Sequence, residues 1–301
     1  MEIPTQQFGP VTVYFGEKNG KYPDGNQVIV TGADMRVGFD TPLLAHRAPQ
    51  VLDGVDLLML GHAHEDHTAG LGMLPDAPLL APEQDLAAVQ SVEGMLAHYG
   101  YSEKTTEEMR HFINDRFHFK PRPDATGYAD GHTLDLGGGV RIRAIHAPGH
   151  TRGHSILMVE PGNIAFIGDI DLSSFGPYYG DGCSDLTAFM RTLDEIEHME
   201  ASTWITFHHK GVISDRETFL HLLRAFREKA HQRARDIVQF IAEGGAAGRT
   251  VDEMVAHRFL YPKDYQVIYL EDVERYTING HLELLTAGGQ VARDGARYYL
   301  P

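Results

Sequence analysis

Residues 62 to 67 read His-Ala-His-Glu-Asp-His and follow the apolar run Val55-Asp56-Leu57-Leu58-Met59-Leu60-Gly61. Three imidazoles and a carboxylate therefore crowd the point where a buried strand should end. That spacing predicts a metal site, and the number of ligand types predicts two ions. Imidazole suits zinc, iron and nickel, and aspartate adds a hard oxygen donor. In an extended segment His62 and His64 point to the same side. Asp66 and His67 fall where Thr68-Ala69-Gly70-Leu71 starts a helical turn. One ion would take the first pair and a neighbouring ion the second, and further ligands must come from elsewhere in the chain.

Three other strand-like stretches deliver ligand types at their ends. Val140, Ile142 and Ala144 alternate with Arg141 and Arg143 before His146-Ala147-Pro148-Gly149-His150-Thr151. Ile164-Ala165-Phe166-Ile167-Gly168 leads to Asp169, and Thr203-Trp204-Ile205-Thr206-Phe207 leads to His208-His209. A lone histidine or aspartate after a strand is more often a solvated loop residue. Four such strand ends in one chain form a stronger pattern.

On His62-Ala-His-Glu-Asp-His67, Pro148-Gly149-His150-Thr151, Gly168-Asp169 and His208-His209, the chain resembles the metallo-β-lactamase superfamily over nearly all of residues 8 to 215. The resemblance implies an α/β fold, a four-layer αββα sandwich. It implies that His62, His64 and His150 hold one metal, that Asp66, His67 and the late histidine hold a second, and that Asp169 bridges both. Asp66 and Asp169 become the catalytic carboxylates. Aligning Val212-Ile213 with the residues that usually follow the late ligand places His209 in that role, with His208 where glycine is common. Two zinc ions are the implied cofactors, with iron or manganese as alternatives. Histidine at 64 separates the chain from diiron flavoprotein relatives, which carry glutamate there. Asp66, with the only cysteine off the motif at 183, separates it from lactamases with a cysteine ligand. The pattern is that of the hydroxyacylglutathione-hydrolase-like branch, although the Arg/Lys constellation that binds glutathione is not visible. Asp40-Thr41 resembles the turn before the metal strand and is expected to support the site rather than ligate.

A chain of 301 residues with 42% hydrophobic content can bury a sizeable core. One cysteine excludes an internal disulfide framework and fits a reducing cytoplasm. The N-terminal residues lack the basic and apolar segments of a signal peptide. No apolar run approaches the roughly 20 residues of a membrane helix. The formal charge of −16 leaves an acidic surface. Nucleic acid is therefore not an expected partner, although Lys210, Arg224, Arg227, Lys229, Arg233 and Arg235 suggest one basic helix face. That face reads as a solvated helix surface.

Residues 84 to 98 and 103 to 113 are predicted to be helical, and the 84–130 stretch should lie over the metal-bearing strand ends. Helices are also predicted over 185–200 and from about 215 to 243, with a capped short helix at 250–257. A polar-aromatic loop (261–269) and a helix over 271–287, weakened by Asn279-Gly280, follow. Residues 290 to 300 read as a hairpin turning at Asp294-Gly295. The expected organisation is a catalytic domain, 1–218, and a small, mainly helical, winged-helix-like domain, 219–301, a unit that follows the catalytic domain in some relatives.

The expected activity is hydrolysis of a small ester, thioester or lactone by a metal-activated hydroxide. A single-strand nuclease, suggested by the C-terminal unit, and a mononuclear iron persulfide dioxygenase are the alternatives. Tyr178, Tyr179, His208 and Lys210 are candidate substrate contacts. His154 is read as a packing or hydrogen-bonding residue. A small acyl molecule is the expected partner, and the oligomeric state is open, a homodimer included.

Overall fold

The structure, a computed structural model, describes residues 3–301. Alternating apolar residues build two sheets that face each other. The first contains β1 (Thr5–Phe8), β2 (Val11–Tyr14), β3 (Gln27–Thr31), β4 (Arg36–Phe39), β5 (Leu57–Met59), β6 (Leu79–Pro82) and β7 (Thr126–Tyr128), in that spatial order. Its first four strands are antiparallel neighbours, and β4 through β7 run parallel. The second sheet contains β8 (Thr133–Asp135), β9 (Arg141–His146), β10 (Ser155–Glu160), β11 (Ile164–Phe166), β12 (Thr203–Ile205) and β13 (Val212–Ile213), ordered β13-β12-β11-β10-β9-β8. Since β10 is antiparallel to β9 and β11, and β11 is parallel to β12, the last residues of β9, β11 and β12 share one edge.

The period-2 pattern assigns each strand residue to a layer. Val28, Val30, Leu57, Met59, Ile142, Leu157 and Phe166 fill the space between the sheets. The alternate residues Ile29 and Leu58 face a short helical pair, α2 (Leu86–Gln90) and α3 (Val92–Tyr99), and the longer α4 (Glu103–Phe117); a single-turn α1 (Leu44–Arg47) precedes them. On the far side Ile156, Met158, Ala165 and Trp204 meet α5 (Leu186–Glu197) and α6 (Arg216–Glu243). Trp204 stacks on Phe219 of α6 with ring centroids 4.2 Å apart. The helix expected over 84–98 is split because the Ser91 hydroxyl caps α3, accepting from Gly94 N at 2.9 Å.

The C-terminal part adds α7 (Val251–His257), α8 (Leu270–Ala287) and a small sheet of β14 (Arg249–Thr250), β15 (Ala292–Asp294) and β16 (Arg297–Tyr299). The predicted capping box at Thr250 and Glu253 is formed, and the hairpin pairs Asp294 with Arg297. Helix α8 runs unbroken through Asn279-Gly280, with Gly280 set against Leu186 of α5. Position 218/219 is not a linker. Helix α6 spans it, burying Phe219, Leu223, Phe226 and Ala230 against the second sheet, and Ile237 and Ile241 in the C-terminal core.

One buried charge, Glu274, and one half-buried charge, Arg258, fix the segment between α7 and α8. The Glu274 carboxylate is fully buried and accepts from the backbone N–H groups of Phe259, Leu260 and Tyr261 at 2.9–3.3 Å. Arg258 Nη1 donates to the carbonyls of Pro262, Lys263 and Tyr265 at 2.9–3.2 Å. Residues 259–265 of the loop are thus held by charge-assisted bonds.

Candidate metal centre

The histidine-rich segment leaves β5 and lies under residues carried by the second sheet. His62 Nε2 is 3.2 Å from His64 Nδ1 and 3.2 Å from His150 Nε2. His150 Nε2 is 3.3 Å from Asp169 Oδ2. The outer nitrogens settle which atoms face inward. His64 Nε2 faces Asp181 Oδ2 at 3.2 Å, and His150 Nδ1 donates to Tyr178 O at 3.0 Å. The lone pairs of His64 Nδ1 and His150 Nε2 therefore converge on one point beside His62. Such convergence is unfavourable unless a cation sits there. Tetrahedral nitrogens about 2.0–2.1 Å from zinc lie about 3.3–3.4 Å from one another, which this spacing matches.

A second cluster joins Asp66, His67 and His208. Asp66 Oδ2 is 2.9 Å from His208 Nε2, and His67 Nε2 is 3.0 Å from Asp169 Oδ1. His67 Nδ1 donates to Asp40 Oδ2 at 2.8 Å, and His208 Nδ1 donates to Gly20 O at 2.7 Å. Both inner nitrogens thus present lone pairs to carboxylate oxygens, which calls for a proton or a metal between them. Asp169 gives Oδ2 to the first cluster and Oδ1 to the second.

The expectation for the late histidine is corrected here. His208, 4% exposed, completes the second cluster. His209 itself forms a left-handed kink (φ 60°) and turns its ring toward Asp171, with Nε2 3.5 Å from Oδ2. Phe207 fixes this register by stacking on His67 with centroids 3.7 Å apart. Alignment on Val212-Ile213 could not register a backbone reversal between the ligand and the next strand.

Two glycines are required locally. At Gly149 (φ 131°) a Cβ would lie 2.2 Å from the α5 backbone at Phe189, so only glycine lets the His150 loop approach that helix. At Gly168 (φ 51°) a Cβ would lie 2.9 Å from His154 Nε2. His154 accepts there from Asp169 N at 3.3 Å and donates through Nδ1 to Ala147 O. Burial, then the neighbouring His150, push its pKa down to about 3, so it stays a neutral brace.

The remaining sequence candidates separate. Tyr178 lines the cavity and donates to Asp181 Oδ1 at 3.0 Å. Tyr179 does not line it. As the next residue in an extended segment it points the other way, bonding His281 Nε2 at 2.8 Å and accepting from Arg233 at 3.1 Å. Lys210 is exposed beyond the kink and outside the cavity. Arg233, expected on a solvated face, is buried and donates to the carbonyls of Phe175 and Pro177.

Sequence reasoning missed three carboxylates. Asp181 backs His64 and accepts from Tyr101 and Tyr178. Asp85 accepts from Ala63 N, Thr151 Oγ1 and Gly153 N, tying the two ligand loops together. Glu65 accepts from Tyr99 and, at 3.0 Å, from Tyr22. Burial, then Asp66, raise its pKa. Asp85 and Glu65 have no local signal; only Asp181, just after Tyr178-Tyr179, hints at a partner.

The clusters open into a cavity of about 560 Å³. Seven of the thirteen tyrosines line it: Tyr22, Tyr99, Tyr101, Tyr178, Tyr261, Tyr265 and Tyr269. Residues 99–109 contribute as expected, and the loop between α7 and α8 contributes as well. Among the described residues, Lys21 is the one lysine or arginine in the lining.

Proton binding competes with metal at this centre. Burial opposes the charged imidazoles, yet Asp181 carries His64 up to about 9, and Asp169 with Asp66 carries His208 up to about 9. Without metal both stay protonated at neutral pH, and an ion must displace those protons. Zinc affinity should therefore rise with pH between 6 and 8, by about tenfold per unit for each proton released. Titration against a competing chelator across that range measures the slope, and a flat profile refutes the assignment.

No family model matches the chain. A metallo-β-lactamase fold-containing protein of Sulfurisphaera tokodaii is 25% identical over 218 residues, covering 68% of this chain and 77% of that protein. The crystal structure of a metallo-β-lactamase family protein from Thermus thermophilus superposes with a TM-score of 0.68 at 21% identity, covering 92% of this chain and 94% of that one. A β-lactamase domain protein from Burkholderia ambifaria also gives a TM-score of 0.68, at 16% identity, covering 99% and 93%. With two mixed sheets flanked by helices and a C-terminal helical region beyond them, the chain has the metallo-β-lactamase fold.

Proposed function

We propose that the protein is a dinuclear metal-dependent hydrolase of a small ester, thioester or lactone. The observation that carries this reading is the division of the Asp169 carboxylate between two ligand clusters, 3.3 Å from His150 on one side and 3.0 Å from His67 on the other. The fold and the S. tokodaii relative support it. The mixed nitrogen and oxygen donors suit zinc. Two ions held by these residues would acidify a water and polarise an acyl oxygen.

This chain's residues supply the rest. His62, His64 and His150 hold one position, with Asp181 and the Tyr178 carbonyl fixing the tautomers of His64 and His150. Asp66, His67 and His208 hold the other, oriented by Asp40 and the Gly20 carbonyl. Asp66 has one oxygen on His208 and the other 3.9 Å from His67, where it can hold the attacking water's proton. No side-chain nucleophile is needed. The ligand pattern is that of the hydroxyacylglutathione-hydrolase-like branch, but a single lining lysine offers little to the carboxylates of a glutathione thioester.

The nuclease reading has less support. Arg227 pairs with Asp194 and Glu197, Arg224 with Glu197, and Arg235 with Glu228, while Arg233 is buried. The helix face that suggested phosphate binding is thereby largely neutralised. Metal analysis of protein prepared without chelator, followed by hydrolysis assays on thioesters, lactones and phosphodiesters, tests the proposal. Two zinc ions per chain and chelator-sensitive acyl hydrolysis are expected. One iron without zinc, or phosphodiester cleavage alone, overturns it.

A further inference from the structure

We infer that the substrate of this site carries an uncharged aryl group, bound against the aromatic loop between α7 and α8 and the Phe175 loop facing it. The inference rests on the hydrolase reading and names the substrate class. Tyr261 and Tyr265 stack with centroids 4.9 Å apart and planes 11° from parallel. Phe175 meets Tyr261 at 5.6 Å. Phe175 and Tyr265 remain 38% and 42% exposed at the cavity mouth. Tyr261, Tyr265 and Phe175 all line the same cavity as His64, Asp66 and Asp169. A flat ring entering there would cover aromatic surface that the protein itself leaves open, an arrangement worth about 0.5–1.5 kcal/mol per aromatic pair beyond area burial.

The wall is fixed before any ligand arrives. Glu274 and Arg258 hold the stretch that carries Tyr261 and Tyr265 through six backbone groups of residues 259–265. Arg233 lies 5.2 Å from the Phe175 ring and donates to the Phe175 carbonyl at 2.6 Å. A preformed wall keeps the ordering cost out of binding. Charge points the same way. Beyond the proposed ligands Asp66 and Asp169, the lining holds Glu65, Asp171 and Asp181, against Lys21. An anionic tail on the substrate would meet these carboxylates, and an aryl group would not. A cavity of about 560 Å³ suits a small molecule of this kind.

The test uses three thioesters that share an acetyl group: S-phenyl, S-methyl and S-(2-carboxyethyl) thioacetate. In each, water adds to the carbonyl, the C–S bond breaks, and acetate and the thiol leave. On the full-length, metal-loaded protein, and with each value divided by that ester's own rate of alkaline hydrolysis to remove the leaving-group difference, kcat/KM should be at least tenfold higher for the phenyl ester than for the methyl ester, and lowest for the carboxyethyl ester. The variants Tyr261→Ala and Tyr265→Ala should reduce the phenyl-to-methyl ratio about tenfold, mainly through KM. Turnover of all three esters at similar efficiency, a preference for the carboxylate, or an unchanged ratio in both variants overturns the inference. Calorimetry with phenylacetone, the unreactive carbon analogue of the phenyl ester, separates the two readings. Binding that Tyr261→Ala weakens, with no thioester turnover, supports the aryl site and refutes only the hydrolase. No binding and no aryl preference refutes the aryl site.

Discussion

Replacing Asp169 by asparagine should remove both metals, and with them the activity. The carboxylate faces both clusters at once, and its Oδ1 and Oδ2 sit 3.0 Å from His67 and 3.3 Å from His150. An amide keeps the shape but loses the negative charge and offers one oxygen, so neither cluster keeps its charge balance. Groups that merely support ligands cost about 10–100-fold in metal affinity when removed. A shared ligand should cost more, at both positions. With limiting zinc, kcat/KM should fall by about three orders of magnitude, some 4 kcal/mol of transition-state stabilisation. Elemental analysis alongside acyl hydrolysis checks this. A variant that keeps two ions and more than a tenth of the activity would show that Asp169 bridges nothing.

His208→Ala should lower the metal content from two ions to about one, whereas His209→Ala should leave two. His208 has its Nδ1 fixed on Gly20 O and its Nε2 2.9 Å from Asp66, so no neighbouring ring can replace it. His209 is itself the left-handed residue, and its ring turns away from the cluster toward Asp171. Burial, then His208, bring its pKa down to about 4, and its nearest acidic partner is Asp171. The loss should be read as metal per chain after dialysis, with circular dichroism to confirm folding. Equal depletion in both variants, or depletion in His209→Ala alone, would return the late ligand to residue 209.

What the sequence made legible follows the range of the interactions. His62, His64, Asp66 and His67 lie within one strand end, so their convergence could be read from spacing. The strand before His150 showed in its alternation, and those before Asp169 and His208 as short, mostly apolar runs. The reversal at His209 was hidden because a non-glycine residue at φ 60° leaves no compositional mark. Tyr178 and Tyr179 were indistinguishable until the direction of their segment was known. Asp85, Asp181 and Glu274 act on groups far away in sequence or on backbone amides, which no local motif records. The helix break at Ser91 and the unbroken helix through Gly280 show packing and capping overriding propensity.

Helix α6 has a consequence for how the molecule comes apart. Its 28 residues, about 42 Å long at 1.5 Å per residue, lie against the ligand-bearing sheet at one end and form part of the C-terminal core at the other. A fluctuation that frees the aromatic loop by opening the C-terminal core must therefore pull on the helix that covers Trp204, four residues before His208. Specificity wall and ligand loops then belong to one cooperative foldon rather than to two modules. Mutations in the tail should be felt at the ligands as a change in opening frequency, even where no side chain at the centre has been altered.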